Sequence, residues 1–388
     1  MDFQIDDRAL VALLRSLVAI PSVNPDMETG SAGEGAVGDW VAAWGRREGF
    51  AVQIQEAAPG RNNVLVDLGL QGLPTLALVT HLDTVPHGDL TPRARAIAEE
   101  DGRVYGRGAC DAKASLASML MALQVLRGFR DRLRVNVQVA AMVDEEQTFH
   151  GVLEYVARLT PATRPVAAIV GEPTLLDVVI AHMGVLRFHL ITHGLAAHTS
   201  RPRNGINAVD KMAELNLSLR AAFTRDAPPP HPLAGEAAMT FAEIAGGTAP
   251  NVVPDRCAAV IDRRLLPGEG SQPVLDWFDA QIARLQAADP ALRVERGEPF
   301  VRDDGLETAA DAPIVQVALA ARAAVLGAAS PIGVPFGTDG SKLGRAGIPT
   351  IVVGPGDIAQ AHTIDEWVAV EQLVRATAIY ARCALLLG

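Results

Sequence analysis

Five residues of metal-ligating type end apolar, strand-like runs or open a helix, and a complete β-α-β-β-α-β unit separates the fifth from the other four. They are His81 in THLDTVP, Asp111 in YGRGACDAK, Glu146 in VDEEQ, Glu172 in IVGEPT and His362 in QAHTIDEW. The intervening unit reads GVLRFHLITHG as a strand, NAVDKMAELNLSLRAAF as a helix, MTFAEIAGG and RCAAVIDRRL as strands, QPVLDWFDAQIARLQ as a helix and ALRVERG as a strand. That order is the split ferredoxin-like motif. For the five residues to meet, the unit must be an insert in a discontinuous domain. The expected boundaries are 183–296 for the insert, with 1–182 and 297–388 as the two parts of the larger domain. A length of 388 residues suits two domains better than one.

Outside the insert the pattern alternates. Helices are predicted over Asp6–Ile20, stopped by PSVNP, over Glu34–Glu48 and over Lys113–Leu126. Strands are predicted around Val52–Gln55, Asn63–Leu68, Leu76–Thr80, Arg134–Val143 and Ala167–Val170. After the insert come the helix PIVQVALAARAAVLG, the strand IPTIVVGPG and a terminal helix, EWVAVEQLVRATAIYARCALLL. Continuous apolar strands between helices imply an α/β sheet covered on both faces. The Pro-rich stretch DAPPPHPLAG reads as a loop inside the insert.

Composition narrows the function classes. A net charge of −11 without a basic run argues against nucleic acid as a partner. The only lysines are Lys113, Lys211 and Lys342, a bias best read as a coding preference. Cys110, Cys257 and Cys383 are odd in number and lack paired spacing, which fits a reducing compartment. Cys110 adjoins Asp111 but reads as a small buried hydrophobe. The start, MDFQIDDRAL, is acidic where a signal peptide would be basic, and no run reaches the length of a membrane span. The expectation is a cytoplasmic protein with no membrane partner.

The five residues form a coherent donor set. Asp111, Glu146 and Glu172 bring three negative charges against the four positive charges of two divalent ions, and a hydroxide would balance the remainder. Imidazole and carboxylate without thiolate suit zinc, and equally cobalt or manganese. Two ions roughly 3.5–4 Å apart can share a carboxylate and polarise a carbonyl, so hydrolysis is the expected chemistry. His81 and Asp83, two apart after a strand, point to one side if extended geometry persists, which lets the aspartate hold the other imidazole nitrogen. Asp111 follows the glycines of GRGACD and reads equally well as a ligand or as the N-cap of the next helix. Glu145 and Glu146 are neighbours at a strand end and face oppositely, so one can ligate while the other takes a proton. A lone histidine is more often a surface or satisfied core residue, and His87, His150, His182, His189, His193 and His231 are left with that reading.

The motifs HLDTVP, GRGACDAK, DEE, GEPT, GLAAHTSRPRNGINAV, DRRLLPG and AHTIDE, in this order, resemble the dinuclear-zinc aminoacylase and carboxypeptidase family that includes acetylornithine deacetylase and succinyl-diaminopimelate desuccinylase. Ala114 departs from the glycine usual after the motif lysine. The resemblance implies a zinc-peptidase-like α/β catalytic domain, its mixed, mainly parallel sheet flanked by helices, plus an inserted ferredoxin-like lid and dimerisation domain. It implies that Asp111 bridges two ions, that His81 and Glu172 complete one and Glu146 and His362 the other, and that Glu145 is the general base. Asp83 would orient His81, and a cis peptide would join Asp111 to Ala112. In the insert, His198 would help polarise the scissile carbonyl, from the partner subunit of a homodimer in many relatives. Arg264 would grip a substrate carboxylate, leaving Arg263 at the surface, and Asn251, Gly337, Thr338 and Asp339 fall in substrate-pocket segments. The implied substrate is a small N-acyl amino acid, N-acetylornithine first, because GPGDIAQAHTIDEW looks more like the deacetylases. Succinyl-diaminopimelate, another N-acyl amino acid or a dipeptide is the alternative.

Overall fold

Leu76 through His81 and Ala167 through Val170 are buried at every residue, as expected of strands covered on both faces. In the computed structural model, which describes residues 3–388, they lie at the centre of a mixed sheet. Its strands run Ala51–Ala58, Arg61–Asp67, Asn136–Met142, Thr75–His81, Ala167–Val170 and Thr350–Val352, the last also meeting Val179. The central four are parallel and the flanking pairs antiparallel. Register sets the function-bearing edge: His81 pairs with Met142, and Val79 and Val352 both pair with Val170. The segments leaving these strands, with Asp83, Glu145, Glu146 and Glu172, therefore emerge together at the carboxyl edge, where α/β sheets place ligands.

The helix Lys113–Leu126 is apolar all round, and Leu116, Leu120 and Leu123 are fully buried, each contributing about 1.5–3 kcal/mol. It packs with Val370–Leu386 and with Asp7–Val18. Buried Lys113 donates to the carbonyls of Leu17 and Ile20, satisfying the C-terminal end of the first helix. Close approach of sheet and helix requires Gly171, where a Cβ would sit 2.6 Å from both Ser115 Cβ and Met119 Cε. The terminal helix starts at Val370, later than the sequence pattern suggests: Trp367–Ala369 is a strand paired with Arg103–Tyr105. An apolar run of three residues does not distinguish strand from helix, and the long-range partner decides.

This first unit comprises the chain up to Ile180, Thr308–Gly333 and Thr338–Gly388. The second comprises Ala181–Glu307 with Val334–Gly337. It reaches beyond the expected limit at residue 296 because Val301–Asp303 pairs with Gly184–His193. Its sheet runs Ala238–Gly246, Arg256–Leu265, Gly184–His193, Arg293–Arg296, the order of a ferredoxin-like fold. Along Arg256–Leu265 burial alternates strictly, the mark of a sheet covered on one face. The covering helices are Ala208–Asp226, burying Met212, Leu215 and Leu219, and Ser271–Ala288, burying Leu275, Phe278 and Ile282. Asn207 caps the former by accepting from Val209 and Asp210 N–H. Among the described residues, no helix is long and apolar enough to cross a membrane.

Candidate metal centre

Two triads of ligating atoms form at the carboxyl edge of the first unit, one from His81, Asp111 and Glu172 and one from Asp111, Glu146 and His362. Asp111 belongs to both. Its Oδ1 lies 3.1 Å from His81 Nε2 and its Oδ2 3.3 Å from His362 Nε2, so each carboxylate oxygen faces a different histidine. Glu172 Oε1 is 3.7 Å from His81 Nε2, and Glu146 Oε2 is 3.3 Å from His362 Nε2. Asp111 is not the N-cap of the following helix; Ala112 occupies that position without a side-chain bond. The peptide between Asp111 and Ala112 is cis. The glycines before Asp111 are needed for the backbone path: Gly108 has φ +80°, and a Cβ there would meet Thr84 Cγ2 at 2.9 Å.

Asp83 does more than the pairing expected of it. His81 Nδ1 lies 2.9 Å from the backbone carbonyl of Asp83 and 3.5 Å from its carboxylate. The carboxylate also accepts the N–H groups of Glu145 and Glu146, each at 3.1 Å, and the Asn24 amide at 2.8 Å. Asn24 also donates to Asp144 at 2.9 Å, and Asp144 takes Arg61. Asp83 thus holds the histidine mainly through its backbone carbonyl, while its side chain, also paired with His81, holds the two glutamates. Asn24, in PSVNP, is a residue that sequence reasoning missed; its signal was an amide in a loop between two prolines, too common to stand out.

The donor set fits two divalent cations. It is nitrogen and oxygen only, since Cys110 Sγ is buried against the Asp357 carbonyl, outside both triads. Buried Glu146 Oε1 and Glu172 Oε1 have no hydrogen-bond partner among the described residues, as oxygens reserved for an ion would. Electrostatics agree. Burial, reinforced by neighbouring carboxylates, pushes Glu145 and Glu172 well above the usual carboxyl range. Burial alone would lower the His81 imidazole, but Glu172, Asp111 and Asp83 outweigh it and raise it well above its ordinary value. Hydrogen bonds to Asp111 and Glu146 push His362 up to about 10. Metal ions would supply positive charge that this cluster of carboxylates otherwise draws from the two imidazoles and, at Glu145, from Lys342.

The remaining expected residues fall elsewhere. Thr338 and Asp339 are buried beside the short helix Gly340–Arg345, where Thr338 Oγ1 accepts the Gly340 N–H. Asp339 lies close enough to Glu145 to raise it further, and Lys342, missed in the sequence, opposes that effect while resting on the Phe149 ring. In the second unit, exposed His198 pairs with Val252, and Thr199 donates to the Asn251 carbonyl, so His198 and Asn251 lie on adjoining segments. Arg264 is half-buried and bonded to Asp262 at 2.8 Å, which also takes Arg187. Arg263, expected at the surface, is 3% exposed, pairs with Glu269 and lies over Phe223. The covered face of this one-sided sheet is the helical side, and alternation turns Arg263 into it. Gly337 belongs to the second unit, near Asp303. His150 bonds Asp144, His193 bonds Glu295 and His231 bonds Glu307, in keeping with structural roles.

Comparison with known proteins decides the family, since the model of the peptidase family M20/M25/M40 matches residues 77–386. The chain belongs to that family. It is a metal-dependent amidohydrolase. An acetylornithine deacetylase of Myxococcus xanthus is 33% identical over 320 residues, covering 80% of each chain. One of Proteus mirabilis is 32% identical over 373 residues, covering 92% of this chain and 91% of the relative. Among solved structures, a tripeptidase from Staphylococcus aureus matches with a TM-score of 0.78 at 21% identity over 99% of both chains. An M20 family metallo-carboxypeptidase from Sulfolobus solfataricus matches with a TM-score of 0.77 at 17% identity over 100% of this chain and 99% of that one. At those identities the structural likeness concerns the fold.

Proposed function

We propose that this member of the family hydrolyses the amide bond of an N-acyl amino acid, N-acetylornithine first among them, with zinc as the native ion at both triads. The observation that carries the mechanism is the shared aspartate: one carboxylate offers an oxygen to each of two His-carboxylate triads. The substrate follows from the relatives, since proteins named acetylornithine deacetylase are 31–33% identical to the chain over most of its length. Two bound divalent ions supply Lewis acidity toward the scissile carbonyl and lower the pKa of water.

The chain's own residues do the rest. Asp83 holds the backbone at Glu145 and Glu146, so the two neighbouring carboxylates take separate tasks. Glu146 ligates with His362, and Glu145, in neither triad, takes the proton of the attacking water and passes it to the leaving amine. Arg264 in the second unit recognises the substrate carboxylate, a planar task suited to guanidinium. His198 polarises the carbonyl from the partner subunit of a homodimer assembled through the second unit, on which Leu195, Leu217 and Ile244 are exposed. Asn251, Gly337, Thr338 and Asp339 shape the pocket. A cytoplasmic setting accords with three free, buried cysteines.

The test is a panel of N-acetylornithine, other N-acetyl amino acids, succinyl-diaminopimelate and dipeptides. N-acetylornithine should give the highest kcat/KM. A preferred succinyl or dipeptide substrate would overturn the acyl-group assignment while leaving the hydrolytic mechanism in place.

A further inference from the structure

The motif AHTIDE ends in a carboxylate that the chemistry above does not use. Glu366 is 1% exposed and lies four residues beyond His362. Its Oε1 accepts the backbone N–H of Cys110 at 2.9 Å and of Asp111 at 3.0 Å, and its Oε2 takes the Arg107 guanidinium at 2.6 Å. The Glu366 carbonyl accepts the Gly106 N–H, and the next residue, Trp367, pairs with Tyr105. One residue is therefore gripped through side chain and backbone by the loop that delivers Asp111. Bonds of this kind, to an ionised acceptor, are roughly twice as strong as neutral ones.

The two triads depend on that grip unequally. His81 ends one of two adjacent parallel strands and Glu172 follows the other, both are buried, and His81 is further held by the Asp83 carbonyl. His362 lies outside any helix or strand, has a left-handed φ of 61° and a side chain 52% exposed. We propose that Glu366 is a positioning residue that fixes His362 relative to Asp111, so that the Asp111–Glu146–His362 triad needs it and the His81–Asp111–Glu172 triad does not. The proposal rests on reading both triads as ion sites.

The experiment titrates metal-free protein with Zn²⁺ against a chromophoric chelator and follows thermal unfolding of the same samples. Wild type should show two dissociation constants. In Glu366→Gln one constant should rise about tenfold or more, the usual effect of losing a residue that orients ligands, while the other stays within about threefold. In a His362→Ala background, Glu366→Gln should change nothing further for the remaining ion. Arg107→Met with Glu366→Met replaces the buried pair by apolar groups, often without loss of stability, and should give the same selective loss should Glu366→Gln alone fail to fold. Asp365→Asn is the control: Asp365 ties the same segment to Thr91 and Arg93 without touching Asp111, so both constants should stay at wild-type values. Two unchanged constants in the Glu366 variants, or two equal losses with a lower melting temperature of the metal-free protein, would overturn the proposal. Wild type binding fewer than two ions would overturn the ion-site reading itself, and the proposal with it.

Discussion

At the residue scale Asp111 is shared between two triads and Glu145 stands outside both, and the proposed chemistry gives them different work. Glu145→Gln should lower kcat by about 10²–10⁴-fold with metal content unchanged, because an amide cannot accept the proton. Wild-type turnover in that variant would force another base. The raised imidazoles make a second prediction. His362, pushed up to about 10, must lose its proton before it can ligate, and His81 is raised in the same direction, so adding Zn²⁺ to metal-free protein at neutral pH should release protons, and affinity should fall as pH falls. An indicator reading of no release in weak buffer would contradict it. The five residues that gather in the two triads could be picked out because donor chemistry at strand ends is written in residue type. The work of Asp83 was not, since its carboxylate bonds backbone N–H groups at Glu145 and Glu146 that only folding brings near. Arg263 was misjudged because alternation says that neighbours face oppositely but not which face the helices cover.

Elements deliver these residues by register and by close packing. The parallel pairing of Thr75–His81 with Asn136–Met142 and Ala167–Val170 brings their exits to one edge, and Gly171 lets the last of them approach the helix Lys113–Leu126. Gly171→Ala should therefore cost about 1–3 kcal/mol, read as a lower urea midpoint at unchanged slope. An unchanged midpoint would show that the helix yields at no cost. The long helices and the βαββαβ order were plain in the sequence because each carries a full period of apolar positions over many residues. The strand Trp367–Ala369 was not, because three residues carry no period and its partner, Arg103–Tyr105, lies far away in the chain. Glu366 was hidden for the same reason: its partners are main-chain groups in that distant loop.

At the scale of the whole molecule, a first segment carrying four residues of the two triads, a ferredoxin-like unit and a returning segment with His362 would, on the proposed function, divide metal binding from substrate recognition. If His198 serves a neighbouring subunit, mixing Glu145→Gln with His198→Ala protein should restore part of the activity that each lacks. No recovery after proven subunit exchange would place His198 in its own chain's site or outside catalysis. Hydrolysis should depend on two ions held in common by Asp111. The most direct test is the metal content per chain of protein assayed at full activity, with Asp111→Ala measured alongside. Two divalent ions are expected in the wild type, with both sites weakened and activity lost in the variant; full activity with fewer than two ions per chain would rule out the shared site.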